Sequence, residues 1–169
     1  MDHGGGHTMQ SSADAEKAPY ELQFIDTMID HHQGAIDMAL LVETRASHDD
    51  LKMLARTIIA DQRAEIEQMR KWRLQWFRDA PQAVNMKMPG MTEGMQGMDL
   101  KKLDLLKANE FDLEFVRQMV PHHEGAVTMA KELLKQTQRP ELKDLAENIV
   151  KAQTDETARM KSWEAAWKK

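Results

Sequence analysis

The sequence predicts an all-α protein, an antiparallel four-helix bundle made of two duplicated helical hairpins. Three observations predict it. Residues 20–78 align without a gap on residues 111–169, so one structural unit is used twice. Apolar residues in both units recur at intervals of three and four, which places them on one face of a helix. The sustained alternation typical of strands is missing from the sequence. Two helical hairpins of this length are expected to pack as a bundle.

The first hairpin is predicted over residues 18–78. The repeating positions of its first helix include Phe24, Met28 and Val42, and the second helix carries the same spacing up to Trp76. Each helix is expected to have about 25–30 residues, as in four-helix bundles. Between the two helices, the sequence S-H-D-D at residues 47–50 is predicted to supply a helix N-cap.

The second hairpin is predicted over residues 100–169, with a short helix at residues 100–108 before the repeat begins. Its loop is expected near residues 138–140, because Pro140 suits the first turn of the following helix. A linker of residues 79–99 joins the hairpins, and its two prolines and three glycines are predicted to stop any helix. Residues 1–17, rich in His, Gly and Ser, are predicted to be a mobile tail. Residues 18–169 are therefore expected to form one domain.

Composition narrows the range of functions. The net charge is −5 and there is no basic cluster, which argues against nucleic acid as a partner. No apolar run is long enough for insertion into a membrane. The chain has no cysteine, so thiol catalysis, disulfides and thiolate metal sites are excluded. It does have 14 methionines and 7 histidines, and a site for a soft metal ion would have to use these residues.

Polar residues interrupt the apolar stripe at the same place in both hairpins. These residues are His31, Gln62 and Glu65 in the first hairpin, and His122, Gln153 and Glu156 in the second. Burial of a carboxylate is costly unless it is paired, protonated or bound to a cation. The repeated exception therefore predicts either a metal site or a satisfied hydrogen bond between His and Glu in a methionine-padded core.

The expected hairpin register suggests which residues meet. If the first hairpin turns near residue 48, His31 faces Glu65 and Met28 lies near Met69. The same register in the second hairpin makes His122 face Glu156 and places Met119 near Met160. The adjacent histidines, His32 and His123, lie about 100° round their helices. They would join the same site from its edge or face another helix.

Two further segments carry soft or nitrogen ligands. The linker contains Met86, Met88, Met91, Met95 and Met98, which are predicted to converge on one soft cation. The alternatives are a loop that folds back and buries these side chains, or a contact surface for a partner. In the tail, His3 and His7 lie close to the first residue. With a free amino terminus, His3 would complete a square-planar nitrogen site for copper(II).

Gly34 and Gly125 occupy equivalent positions inside the two histidine-bearing helices. Glycine in a helix interior costs about 1 kcal/mol relative to alanine. Close approach of another helix beside the histidines would explain why both are glycine. The W-x-x-x-W pairs at Trp72 and Trp76, and at Trp163 and Trp167, are predicted to pack at the ends of their helices.

The motif H-H-x-x-A-[IV]-x-M-A occurs twice, in HHQGAIDMA and in MVPHHEGAVTMA. Over roughly residues 20–169 the chain resembles the CopM-like family of ferritin-like bundle proteins. The resemblance implies a ferritin-like four-helix bundle, export to the periplasm or secretion, and binding of copper or silver in metal resistance. The metal residues that it implies are His31, His32, Met28 and Met38, with His122, His123, Met119 and Met129.

These observations favour a protein that is not an enzyme. It would bind copper(I), and silver(I) by the same softness argument, for sequestration, resistance or delivery to another copper-handling protein. One alternative is a protein-interaction module that binds no metal and uses the methionine-rich loop as its contact surface. A less favoured alternative is an oxidoreductase of the di-iron bundle class, which needs Glu-x-x-His pairs that this sequence lacks. The sequence does not predict an oligomeric state.

Overall fold

The computed structural model describes residues 10–169, and within this part of the chain it contains helices but no strand. The all-α prediction is confirmed. After a 3-10 turn at Ala15–Lys17, the helices in chain order are α1 (Tyr20–Ala39), α2 (Val42–Arg45), α3 (Asp49–Phe77), α4 (Met91–Gln96), α5 (Leu100–Asp104), α6 (Ala108–Gln136) and α7 (Pro140–Trp167). None of the helices in residues 10–169 combines the length and apolarity needed to cross a membrane.

The four long helices pack as the two expected hairpins. Helix α1 lies along α3, α6 lies along α7, and α1 also contacts α6, which joins the two hairpins. Pro140 occupies the first turn of α7, as predicted. Buried apolar side chains form two clusters, one containing Phe24 and Met69 and the other containing Phe111 and Phe115. Each such side chain contributes about 1.5–3 kcal/mol when fully buried.

The two clusters occupy different levels of the bundle. Met28 and Ala126 belong to the first, whereas Ala35 and Met119 belong to the second. The two histidine pairs lie between these positions in sequence, at residues 31–32 of α1 and 122–123 of α6. Each residue advances by a fixed distance along the helix axis, so the histidines lie at a level between the two clusters. They form a polar layer that separates the apolar halves of the core.

The start of α3 differs from the prediction. Helix α1 has only 20 residues, and the chain turns at Leu40 and Leu41 before the short helix α2. The N-cap residue of α3 is His48, and no side chain caps this helix. Ser47 and His48 instead donate hydrogen bonds to the fully buried carboxylate of Asp112 on α6. The N-cap thus lies within residues 47–50 as predicted, but the expected side-chain cap is missing because the side chains of Ser47 and His48 are bonded to Asp112 instead.

Asp112→Asn is expected to lower the free energy of unfolding by about 1.5 kcal/mol. The carboxylate accepts from the backbone N–H groups of Ser47 and His48, from Ser47 Oγ and from His48 Nδ1. An amide retains one acceptor and turns an NH₂ group towards the remaining donors. Urea denaturation measures the change. Asp155→Asn, an exposed substitution on α7, is the control, and equal stability of the two variants would contradict the role given to Asp112.

The linker and the segment before α1 also differ from the prediction. Despite its glycines and prolines, the linker contains a helix, α4. Residues 10–17, expected to belong to a mobile tail, are hydrogen-bonded to the linker. Ser12 donates from its backbone N–H to Val84 O at 2.8 Å, and the Val84 N–H donates to Ser12 Oγ at 3.0 Å. Met86 N donates to Ser11 Oγ at 2.9 Å. The predicted ligands His3 and His7 lie outside the described residues.

Helix α1 fixes the linker against the bundle from the other side. Asp26 is 8% exposed, forms an ion pair with Arg73 of α3 and accepts a hydrogen bond from Ala83 N at 2.9 Å. Asn85 N donates to Thr27 Oγ1, also at 2.9 Å. These bonds hold the chain just before α4 and so direct that helix towards the bundle. The helix α4 packs mainly on α6.

Candidate metal centre

His31 and His122 meet at the centre of the bundle. They are equivalent residues of the two repeats, and their imidazole rings stack with centroids 3.8 Å apart and planes 27° apart. Each residue is only 1% exposed. Two positive charges this close and this buried would repel strongly. The pair therefore suits neutral imidazoles, which are the form that binds metal ions.

Glycines line the Nε2 edges of both rings. A Cβ atom added to Gly34 would lie 3.2 Å from His122 Nε2 and 3.2 Å from Met98 Sδ. A Cβ atom added to Gly94 of α4 would lie 2.9 Å from His31 Nε2. Glycine at both places therefore leaves space beside these nitrogens. The fold brings two imidazole nitrogens and one linker thioether to the same part of the core.

His32 and His123 form a second pair of contacts in the same layer. Both residues are fully buried, with His32 Nε2 2.6 Å from Glu65 Oε1 and His123 Nε2 2.7 Å from Glu156 Oε1. The other ring nitrogen of each, Nδ1, is buried and has no hydrogen-bond partner in the structure. A histidine that binds a metal ion commonly donates its second N–H to a carboxylate. Both residues show this arrangement, with Nδ1 as the nitrogen left for a ligand.

The predicted pairing of His31 with Glu65, and of His122 with Glu156, was wrong. In each hairpin the following histidine contacts the glutamate, while His31 and His122 face each other across the two hairpins. The expected register was off by one residue, and one residue turns a side chain by about 100° on a helix. The structure does contain the alternative, a hydrogen bond between His and Glu, in each hairpin. It is formed by the second histidine of each doublet, His32 or His123.

The predicted methionines lie in the apolar clusters. Met28, Met69 and Met129 belong to one cluster and Met38, Met119 and Met160 to the other, each with no exposed surface. The expected neighbours Met28 and Met69, and Met119 and Met160, thus share a cluster in each case.

Of the alternatives for the linker methionines, the structure shows the loop that folds back onto the bundle. Met88, Met91 and Met95 are at most 3% exposed and pack in the first cluster, while Met86 and Met98 pack against it partly buried. Close approach of α4 to α6 makes this possible. A Cβ atom on Gly125 would lie 2.3 Å from Gly90 O, which shows how near the two backbones are.

Asp61 was missed by the sequence reasoning. It lies on α3 beside Glu65 and Glu156, and partial burial raises its pKa, as do the charges of Glu156 and Glu65. The equivalent residue in the second repeat is Ala152, so the duplication gave no signal. Among the described residues, no group of three or more His, Asp or Glu side chains converges closely enough to hold a metal ion.

Comparison with known proteins gives one family and several solved structures. The family model described as "Domain of unknown function (DUF305)" matches residues 21–164. CopM in its Cu(II)-bound form is 43% identical, with a TM-score of 0.76, over 87% of this chain and 97% of that chain. CopM has also been solved in Cu(I)-bound, Ag-bound and apo forms, each 41% identical to this chain.

One more distant relative shares the fold, and another matches part of the sequence. The structure described as "putative secreted protein DUF305 from Streptomyces coelicolor" is 28% identical to this chain, with a TM-score of 0.75. That match covers 88% of this chain and 93% of that chain. An uncharacterized protein of Acanthamoeba polyphaga mimivirus is 37% identical over 51 residues, which is 30% of this chain and 34% of the viral protein. The chain thus spans about a third of that curated relative.

Proposed function

Because this chain belongs to the DUF305 family, we propose that it binds copper(I), and silver(I) by the same chemistry, through histidine and methionine. The observation that carries the proposal is the stacked pair His31 and His122, with Met98 Sδ and His122 Nε2 both close to the side of α1 that Gly34 leaves open. Imidazole and thioether are the donors that soft ions prefer, and the chain has no thiolate to compete with them. Zinc seldom uses thioether, so it should bind this site less well.

The relatives support the choice of metal. CopM is known in forms bound to Cu(I), Cu(II) and Ag, and it matches most of this chain. Both chains are similar over the two repeats that carry the histidine doublets. We therefore assign copper(I) as the main cargo.

The remaining donors would form a surrounding set of ligands. His32 and His123 each offer a buried Nδ1, oriented through Nε2 by a glutamate. The buried thioethers of the two clusters and of the linker are proposed as alternative ligands that accept the ion in turn. Each of these bonds is weak enough to exchange, which suits sequestration and delivery to another copper-handling protein. Such a role fits the periplasm or secretion, and it needs no catalytic step.

The alternative of an interaction module that binds no metal loses its main support. It required the linker methionines as an exposed contact surface, whereas Met88, Met91 and Met95 are buried against the bundle. The di-iron alternative also gains no support from the described residues, because only two glutamates, Glu65 and Glu156, contact the central histidines.

An anaerobic copper(I) titration against a chromophoric chelator tests the proposal, with zinc(II) titrated in parallel. We expect the protein to withdraw at least one copper(I) from the chelator and to bind zinc at least about tenfold more weakly, because soft donors select the soft ion. Silver(I) should displace copper(I) from the same site. A protein that leaves all copper(I) on the chelator would overturn the proposal and leave the His–Glu pairs as core hydrogen bonds.

A further inference from the structure

A small cavity lies between α3 and α7, where polar side chains of both repeats meet. Its volume is about 20 Å³, and its polar lining consists of Asp61, Gln62, Glu65, Gln153 and Glu156. A cavity needs at least about 10–15 Å³ to hold one water molecule. The space therefore accommodates a single particle of that size, between polar and apolar side chains of both repeats.

The two glutamines supply acceptors that nothing in the protein satisfies. Gln62 and Gln153 are each only 4% exposed, and the Oε1 atom of each is buried without a hydrogen-bond partner. A buried polar atom left without a partner costs about 1–3 kcal/mol. The same residue type at the equivalent position of both repeats carries this cost twice. Both glutamines line the cavity, where a donor or a cation would lie close to their amide groups.

The ionisable side chains that line the cavity are all acidic. Glu65 and Glu156 line it. The Oε1 atom of each glutamate contacts the Nε2 atom of one histidine, His32 or His123. Asp61 adds a third carboxylate at the exposed rim, and neither lysine nor arginine lines the space. Like charges gathered in this way repel one another. A cation in the cavity would relieve this repulsion.

We propose that this cavity binds one hard divalent cation, of the Mn²⁺ or Mg²⁺ type, through the carboxylates of Glu65 and Glu156 and the amide oxygens of Gln62 and Gln153. Carboxylate and amide oxygens are the donors that these ions prefer. The set combines two carboxylates with two amide oxygens and is not a cluster of three acidic or histidine ligands, of which the described residues contain none. The site differs in donor chemistry from the His31–His122–Met98 centre and would select a different ion.

Titration of the full chain with Mn²⁺, followed by the electron paramagnetic resonance signal of free Mn²⁺, tests this proposal. We expect one Mn²⁺ per chain. The double variant Gln62→Leu/Gln153→Leu should bind it at least about tenfold more weakly, which is the cost of losing even an outer partner of a metal. Asp61→Asn should also weaken binding, whereas Glu67→Gln, an exposed change of the same charge on α3, should not.

The glutamine variant should fold, since it removes two acceptors that have no partner in the protein. Its copper(I) titration should match that of the wild type, so failure of this proposal is distinct from failure of copper binding. Absence of bound Mn²⁺ in the wild type, or equal Mn²⁺ binding in the glutamine variant, would overturn the proposal and leave a water molecule in the cavity. Displacement of Mn²⁺ by one equivalent of copper(I) would also overturn it, because the two sites would then be one.

Discussion

Replacing His31 and His122 together by leucine is expected to weaken copper(I) binding about 100-fold, at the upper end of what loss of a supporting residue costs a metal site. The two Nε2 atoms lie beside glycines and a thioether in a buried layer, so their loss leaves only sulfur donors at the centre. The same anaerobic chelator competition measures the change. Thermal unfolding should show that the bundle remains intact, because leucine fills the space of a buried imidazole with apolar atoms.

Matched variants distinguish the loss of a copper ligand from a general effect of substitution on the protein. His48→Gln removes an imidazole that contacts Asp112 and Trp167, remote in sequence from the centre, and should leave copper(I) affinity unchanged. Met98→Leu should weaken binding about tenfold, as for a single supporting ligand. Met53→Leu, at a position 62% exposed, should have no effect. If the double histidine variant binds copper(I) as tightly as the wild type, the ion is held by the other thioethers and the central assignment is wrong.

The duplication made the bundle predictable. The gapless alignment of the two repeats and their three-and-four spacing predicted both hairpins, and the repeated polar positions identified the layer that contains the histidines and glutamates. The partners within that layer were harder to predict, because an error of one residue in the hairpin register exchanges His31 for His32. The two histidines of each doublet have different partners. One histidine of each pair faces the glutamate of its own hairpin, and the other faces the opposite hairpin.

The linker could not be predicted from local sequence, because tertiary contacts determine its structure. Its glycines and prolines indicate a loop, and a loop rich in methionine suggests exposed ligands. Asp26 and Thr27 of α1 instead hold the linker backbone, and the glycines allow α4 to lie directly on α6. The contact between α4 and α6 is made at Gly90, Gly94 and Gly125. Their positions in the sequence do not indicate that these three glycines meet. The same long-range packing buries three of the linker methionines.

Gly125→Ala is expected to destabilise the protein by about 2 kcal/mol. The added Cβ would lie 2.3 Å from Gly90 O and 2.9 Å from Gly94 Cα, so the backbone of the linker must move. Overpacking of this kind costs up to about 3 kcal/mol, against roughly 1 kcal/mol gained when alanine replaces glycine in a helix. Urea denaturation measures the loss, and α4 should become more susceptible to proteolysis.

Gly34→Ala provides the decisive comparison, because Gly34 is the equivalent residue of the first repeat. Its Cβ would lie 3.2 Å from His122 Nε2 and from Met98 Sδ, which are side-chain atoms able to move by a few tenths of an ångström. The helix gains about 1 kcal/mol from alanine, so stability should change little while copper(I) affinity falls. Gly97→Ala, with no atom within 4 Å of the added Cβ, should alter neither quantity. Equal losses of stability at Gly34 and Gly125 would contradict this account, since only Gly125 faces backbone that cannot retreat without moving the linker.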